Sequence, residues 1–392
     1  MMVYNRMYVV MDGKVMSHIS SYTSNRMQNA LSQNLSILIL TLLAVILRLG
    51  RLTATTIHPG LRNDGPFTLR LVQHGFLEII ELTAQDVHPP FYYFVARLWG
   101  LVFGMTIPSL RLLGVAFGAL SVPLLYLVAR RLVPENAALV SAALLATSTF
   151  HIFQSQKARM YSLLLFLALI STYYYLNLIQ TGDRRSVSLY IIVTVAMAYT
   201  HVFAAFVVLF HTFDFVFRMI RSNEPQHTAQ FGLSIVGIGF LTLPWLAVFV
   251  NQIQSRSGDF WIPEPTLYTV IWSAGIAYAG NYVFALVFGA AFVSVAIGLM
   301  KGYIPWRAVQ LPALWMIIPT SVPFILSFII SPIFITRYTI TALPGIFILV
   351  GLGVSLQQKS IRSLFYAVMA TLAVINLWIY YAQSRLGPWL IT

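Results

Sequence analysis

From Leu35 the chain reads LSILILTLLAVIL, and comparable apolar stretches return near 108–130, 135–152, 160–179, 187–203, 203–220, 230–250, 280–299, 310–331, 339–356 and 363–381. Each approaches the roughly 20 apolar residues that one helical crossing of a ~30 Å hydrocarbon core requires. The composition agrees: 58% of residues are hydrophobic and 9% charged, with a mean hydropathy of +0.79. A soluble fold is excluded, and the expectation is an all-α polytopic membrane protein with about eleven transmembrane helices.

The charges then set topology. The formal charge of +13 would suggest a nucleic-acid partner in a soluble domain, but here the basic residues sit at the ends of apolar runs, which argues for membrane lipids as partners and against nucleic acid. Basic connectors recur at Arg130/Arg131, Arg184/Arg185, Arg218/Arg221, Lys301/Arg307 and Lys359/Arg362, and all share a side with the tail that carries Arg6, Lys14 and Arg26. The positive-inside rule puts that side in the cytoplasm. The expected organisation is a cytoplasmic tail over residues 1–33, one integral domain over 34–382 and a short outer tail over 383–392. Residues 53–107 would form a long first outer loop in a multi-pass plasma-membrane protein. Within that loop FTLRLVQHGFLEIIEL and FYYFVARLWGLVFG have the spacing of helices lying along the interface. The absence of cysteine removes disulfides, thiolate-ligated metals and thiol nucleophiles.

Residues capable of chemistry gather on the outer side. Asp64, before Gly65 and Pro66, sits at a turn where a carboxylate could act as a general base. Asp86 and His88 precede two prolines that fix the chain ahead of an aromatic helix; Asp86 with Asp64 could supply two oxygen ligands to a divalent cation, although no cofactor is required. In SQKARMY the residues Lys157, Arg159 and Tyr161 fall within about one turn at a helix start, an arrangement suited to a phosphate. Arg337 and Tyr338 repeat the pattern at a later helix start. Each taken alone has a plain alternative: a solvated loop acid, a helix cap, an arginine snorkelling to headgroups. His201 lies at the outer end of a hairpin. Asp214 reads as a polar packing contact between helices, because a proton relay would need a chain of such groups across the midplane.

Taken in order, Asp64 in NDGPFTL, HPPFYY from His88, SLRLLGVAFGALSVPLLYLVARRL from Ser109, SQKARMY, YTH at Tyr199–His201 and RY at Arg337–Tyr338 resemble the polyprenyl-phosphate-dependent glycosyltransferases of the C superfamily. The likeness is to the group that includes protein O-mannosyltransferases and lipid A aminoarabinose transferases. The resemblance implies transfer of a sugar, usually with inversion, from a dolichyl- or undecaprenyl-phosphate carrier to a hydroxyl on a lipid, glycan or protein at the non-cytoplasmic face. It implies that Asp64 is the acceptor-activating carboxylate, that Lys157, Arg159, Tyr161 and Arg337 lie near the carrier phosphate, and that Asp86, His88 and Tyr338 support them. The chain departs from the pattern at Gly65, where the family commonly has Glu, and at Lys157, where an acid is common. The competing readings are a transporter or lipid flippase, which would concentrate polar groups at the midplane, and an inactive relative.

Overall fold

The computed structural model describes residues 32–50, 52, 64–221, 227–255 and 262–382. The expected tails, apart from residues 32 and 33, and residues 53–63 of the first loop lie outside these. All regular structure among the described residues is helical: α1 (Ser32–Leu49), α2 (Asp64–Val72), α3 (Phe76–Ala84), α4 (Phe91–Phe103), α5 (Ile107–Ala129), α6 (Glu135–Thr147), α7 (Thr149–Ser155), α8 (Tyr161–Thr181), α9 (Arg184–Ala198), α10 (Ala204–Arg221), α11 (Thr228–Ser255), α12 (Leu267–Trp272) with a π-helical continuation, α13 (Tyr282–Met300), α14 (Trp306–Ile329), a 3-10 segment (Thr336–Ala342) running into α15 (Leu343–Ser355), and α16 (Lys359–Ala382).

Among the described residues eight helices, with the 3-10 segment and α15 taken together, are long and apolar enough to cross a bilayer, and α6 with α7 makes a ninth if that bent pair is one span. This multi-pass architecture has fewer such helices than the run count suggests, for two separate reasons. α9 has only 15 residues, about 22 Å of helix. α10 carries Asp214, Arg218 and Arg221 within its 18 residues, which lowers its apolarity. α4, at 13 residues, is about 20 Å long and likewise shorter than the hydrocarbon core.

The bundle packs around α15, which is apolar on every side and buried from Leu343 to Val354, as a helix without a polar face must be. Two glycines permit its close approaches: a Cβ on Gly351 would lie 2.3 Å from the Ala137 carbonyl oxygen of α6, and one on Gly353 would lie 2.1 Å from the Ala291 carbonyl oxygen of α13. With little hydrophobic drive between helices in lipid, such backbone proximity supplies the van der Waals gain.

The feature that most affects the site is a 55° break between α6 and α7. Ser148 caps the second piece, its side chain accepting from His151 N at 3.2 Å. The break exposes the last carbonyls of α6, and Arg48 of α1 takes them: Nη1 donates to Ala146 O at 3.2 Å and Nη2 to Leu145 O at 3.1 Å. Nη2 also lies 2.7 Å from His151 Nδ1. A cation at the carbonyl end of a helix is favoured by the backbone dipoles, which explains an arginine that is wholly buried. Gln156 donates to Arg48 O at 3.0 Å and accepts from Tyr380 OH at 2.6 Å, so α1, α7 and α16 together fix the chain just before Lys157.

From the other side α5 presses on the same segment. A Cβ on Gly114 would stand 2.6 Å from Ser155 O and 2.9 Å from Lys157 O, whereas Gly232 has nothing within 4 Å. Gly114→Ala is therefore expected to cost about 1–3 kcal/mol of overpacking and to displace residues 155–157. The check is a lowered Tm and weakened activity for Gly114→Ala beside an unaffected Gly232→Ala.

Candidate active site

α2 begins at Asp64, and its first turn and a half carries Phe67 and Thr68. Thr68 Oγ1 donates to Ala158 O at 2.7 Å, and the Arg159 guanidinium lies over the Phe67 ring at 4.7 Å. Arg159 Nη1 also donates to Tyr93 OH of α4 at 3.2 Å. An aromatic face and a hydroxyl thus hold this guanidinium in place without a carboxylate to neutralise it in either contact. Arg97 donates to Val72 O at 2.8 Å, capping the far end of α2. The start of α2 and the SQKARMY segment therefore lie at one end of the bundle.

Gly65 has a packing reason. A Cβ there would be 2.9 Å from Ile107 Cγ2 at the start of α5, so the site has no room for the family's glutamate unless Ile107 moves.

A second cluster adjoins. The amide of Phe91 donates to Tyr199 O at 2.9 Å, tying the HPPFYY segment to the YTH turn between α9 and α10. The His88 ring is consequently 5.5 Å from that of His201. Tyr338 stands 4.8 Å from His201, 6.1 Å from Tyr161 and 6.4 Å from His88. Arg337 hydrogen-bonds the Tyr338 side chain, and Arg159 and Asp86 both act on it electrostatically. Residues from three separate stretches of sequence, Asp86, His88, Arg159, Tyr161, Arg337 and Tyr338, are thereby brought together. Lys157 takes another direction: it is buried, with its ammonium 4.4 Å from the Phe153 ring centroid, toward the small apolar cluster of Ile152, Phe153 and Tyr380.

His201, at the centre of this cluster, belonged to a recognised motif but had no role assigned from sequence. Phe203 N donates to its Nδ1 at 3.1 Å, so the proton of the neutral ring sits on Nε2. That buried nitrogen has no hydrogen-bond partner among the described residues. Burial, and next the charge of Arg337, hold the imidazole down to about 3, so it remains a neutral donor at physiological pH. Since the unfolded ring binds its proton near 6.5, stability from this residue is complete above that pH and is lost progressively as the pH falls toward about 3. Thermal unfolding in detergent between pH 7 and 4.5 should show a smaller drop in Tm for His201→Phe than for the wild type.

Among the described residues no three His, Asp or Glu side chains gather as a metal site. Arg48 is the residue most clearly missed from sequence: in LRLG it passes for the end of the first span, and only the broken helix about 100 positions on explains it. Asp214 is the packing contact expected, wholly buried and bonded to Arg218 at 2.6 Å, Tyr175 at 2.7 Å and Gln310 at 2.7 Å.

Residues 87–245 match the family described as dolichyl-phosphate-mannose-protein mannosyltransferase. ArnT from Cupriavidus metallidurans in the apo state superposes with a TM-score of 0.61 at 15% identity, over 90% of this chain and 65% of that one. The chain has the C-superfamily fold. The same ArnT bound to undecaprenyl phosphate gives a TM-score of 0.60 at 13% identity, over 88% of this chain and 63% of that one. The archaeal oligosaccharyltransferase AglB from Archaeoglobus fulgidus, in complex with an inhibitory peptide and a dolichol-phosphate, gives 0.58 at 12% identity, over 90% and 56%. This chain thus spans less than two thirds of the length of either relative. No curated protein sequence matches it. The C-superfamily resemblance carried by the motifs is borne out by the family match and by these folds.

Proposed function

We propose that this protein is a membrane glycosyltransferase that moves a sugar from a polyprenyl-phosphate carrier to an acceptor hydroxyl on the non-cytoplasmic face, with inversion. The observation that carries this reading is the convergence of Arg159, Arg337, Tyr161, Tyr338 and two histidines at the end of the bundle where α2 begins. Two guanidiniums set among phenols and imidazole donors suit a phosphate ester more than a neutral sugar alone.

The chemistry follows from charge. The acceptor oxygen attacks the anomeric carbon as the bond from that carbon to the phosphate oxygen breaks, and the bonding pair leaves on the phosphate. Asp64 takes the acceptor's proton. The leaving group is already anionic and needs its added charge stabilised more than it needs a proton, which is the work of Arg159 and Arg337. His201 Nε2–H and the Tyr338 hydroxyl would donate to phosphate or sugar oxygens. One carboxylate is then enough, consistent with Gly65 in place of a second.

The test is turnover by the full-length protein in lipid nanodiscs, given undecaprenyl- and dolichyl-phosphate donors with labelled sugars. Release of free polyprenyl phosphate, dependent on a hydroxyl acceptor and depressed by Arg337→Gln, is expected. A well-folded protein that neither binds nor turns over any donor of this class would reject the reading.

A further inference from the structure

The helices that start at the site end on a second cavity. α8 leaves the site at Tyr161 and reaches this cavity at Gln180, about 28 Å further along at 1.5 Å per residue. The ends of α5 and α10 and the start of α14 close it into a space of about 610 Å³. Four arginines line it, Arg131, Arg218, Arg221 and Arg307, with no carboxylate among the described lining residues.

Their partners leave most of this charge unopposed. Arg218 is paired with Asp214 at 2.6 Å, and that carboxylate is already shared with Tyr175 and Gln310. Arg131 donates to the neutral side chains of Asn177 and Gln180, which aim its fork without neutralising it. Arg221 stacks over Trp306 at 5.1 Å. Guanidiniums from separate elements, held at the edge of a low-dielectric bundle, repel one another unless an anion joins them. Several forks from several directions suit an anion with three or more oxygens, and apart from Gln180 and Gln310 the rest of the wall, including Leu132, Phe215 and Met219, is apolar.

We infer that this cavity is a binding site for a phosphate group, separate from the sugar-transfer site and independent of that reading. Its phosphate is borne by a lipid headgroup from the adjoining leaflet or is free in solution, and the arginines supply the recognition in either case.

The experiment uses the full-length protein. Native mass spectrometry would follow retention of phosphatidylglycerol against phosphatidylcholine, and a parallel thermal-shift titration would use inorganic phosphate and pyrophosphate. The variant is R221Q/R307Q, whose guanidiniums lie at the edge of the cavity, with Arg131→Gln measured separately and K359Q/R362Q as a control of equal charge loss elsewhere. Preferential retention of phosphatidylglycerol, weakened roughly 30-fold in R221Q/R307Q and unchanged in the control, supports the site with a lipid source. A stabilising shift by phosphate or pyrophosphate that is lost in R221Q/R307Q supports it with a soluble source. If no probe binds the wild type, or if the double variant binds as the wild type does, the inference is overturned. Should Arg131→Gln fail to fold because Asn177 and Gln180 lose their partner, R221Q/R307Q still decides.

Discussion

Arg159→Ala is expected to reduce sugar transfer by about 10²–10³-fold, the usual cost of removing a donor that stabilises charge developing in the transition state. Folding should be nearly unaffected, because the side chain is partly exposed and its contacts with Tyr93 and Phe67 are those of a single side chain at the edge of the bundle. The loss should fall mainly on kcat, since the extra phosphate charge exists only as the glycosidic bond breaks. Arg159→Lys should recover part of it, keeping the charge but losing the planar fork that Phe67 and Tyr93 hold. Steady-state kinetics with a labelled donor, beside Tm values in the same detergent, make the check. Wild-type turnover by Arg159→Ala would remove the phosphate role from this residue.

Asp64→Asn should lower the rate by about 10²–10⁴-fold, the range for removing a general base, while donor binding stays unchanged. The substitution keeps size and loses basicity, so donor affinity and transfer rate separate: a residue that touched the carrier phosphate would change both. The assignment draws on the position of Asp64 at the head of α2, one turn before the residues that hold Ala158 and Arg159. Binding of labelled carrier and single-turnover transfer, measured on the same preparation, distinguish the two. Equal rates for variant and wild type would leave the reaction without its proposed base.

Much of this arrangement was legible in the chain because it depends on local patterning. Apolar runs mark helices, and SQKARMY and TRY place cations at helix starts where none is needed for topology. What periodicity could not supply is contact between distant segments. That His201 would stand among His88, Tyr161 and Tyr338 depends on the Phe91–Tyr199 backbone bond, which no local pattern encodes. That Lys157 would turn toward Phe153 while Arg159 faces Tyr93 depends on a turn between α7 and α8. Hydropathy alone also registers α9 and α10 as runs, although among the described helices α9 is short and α10 carries three charges, so neither is among the eight or nine long and apolar enough to cross.

Arg48 also bears on how the chain is made. As α1 leaves the ribosome and enters the translocon, its guanidinium has the Ala44 carbonyl of its own helix but not those of Leu145 and Ala146, which lie 97 and 98 residues downstream. At a synthesis rate of about 5–20 residues per second, the first segment must wait roughly 5–20 seconds with an uncompensated cation near the bilayer. Its lateral exit into lipid is thereby coupled to the insertion of later segments. Substituting Leu at this position would let α1 partition early, before the bend that it normally secures has been synthesised.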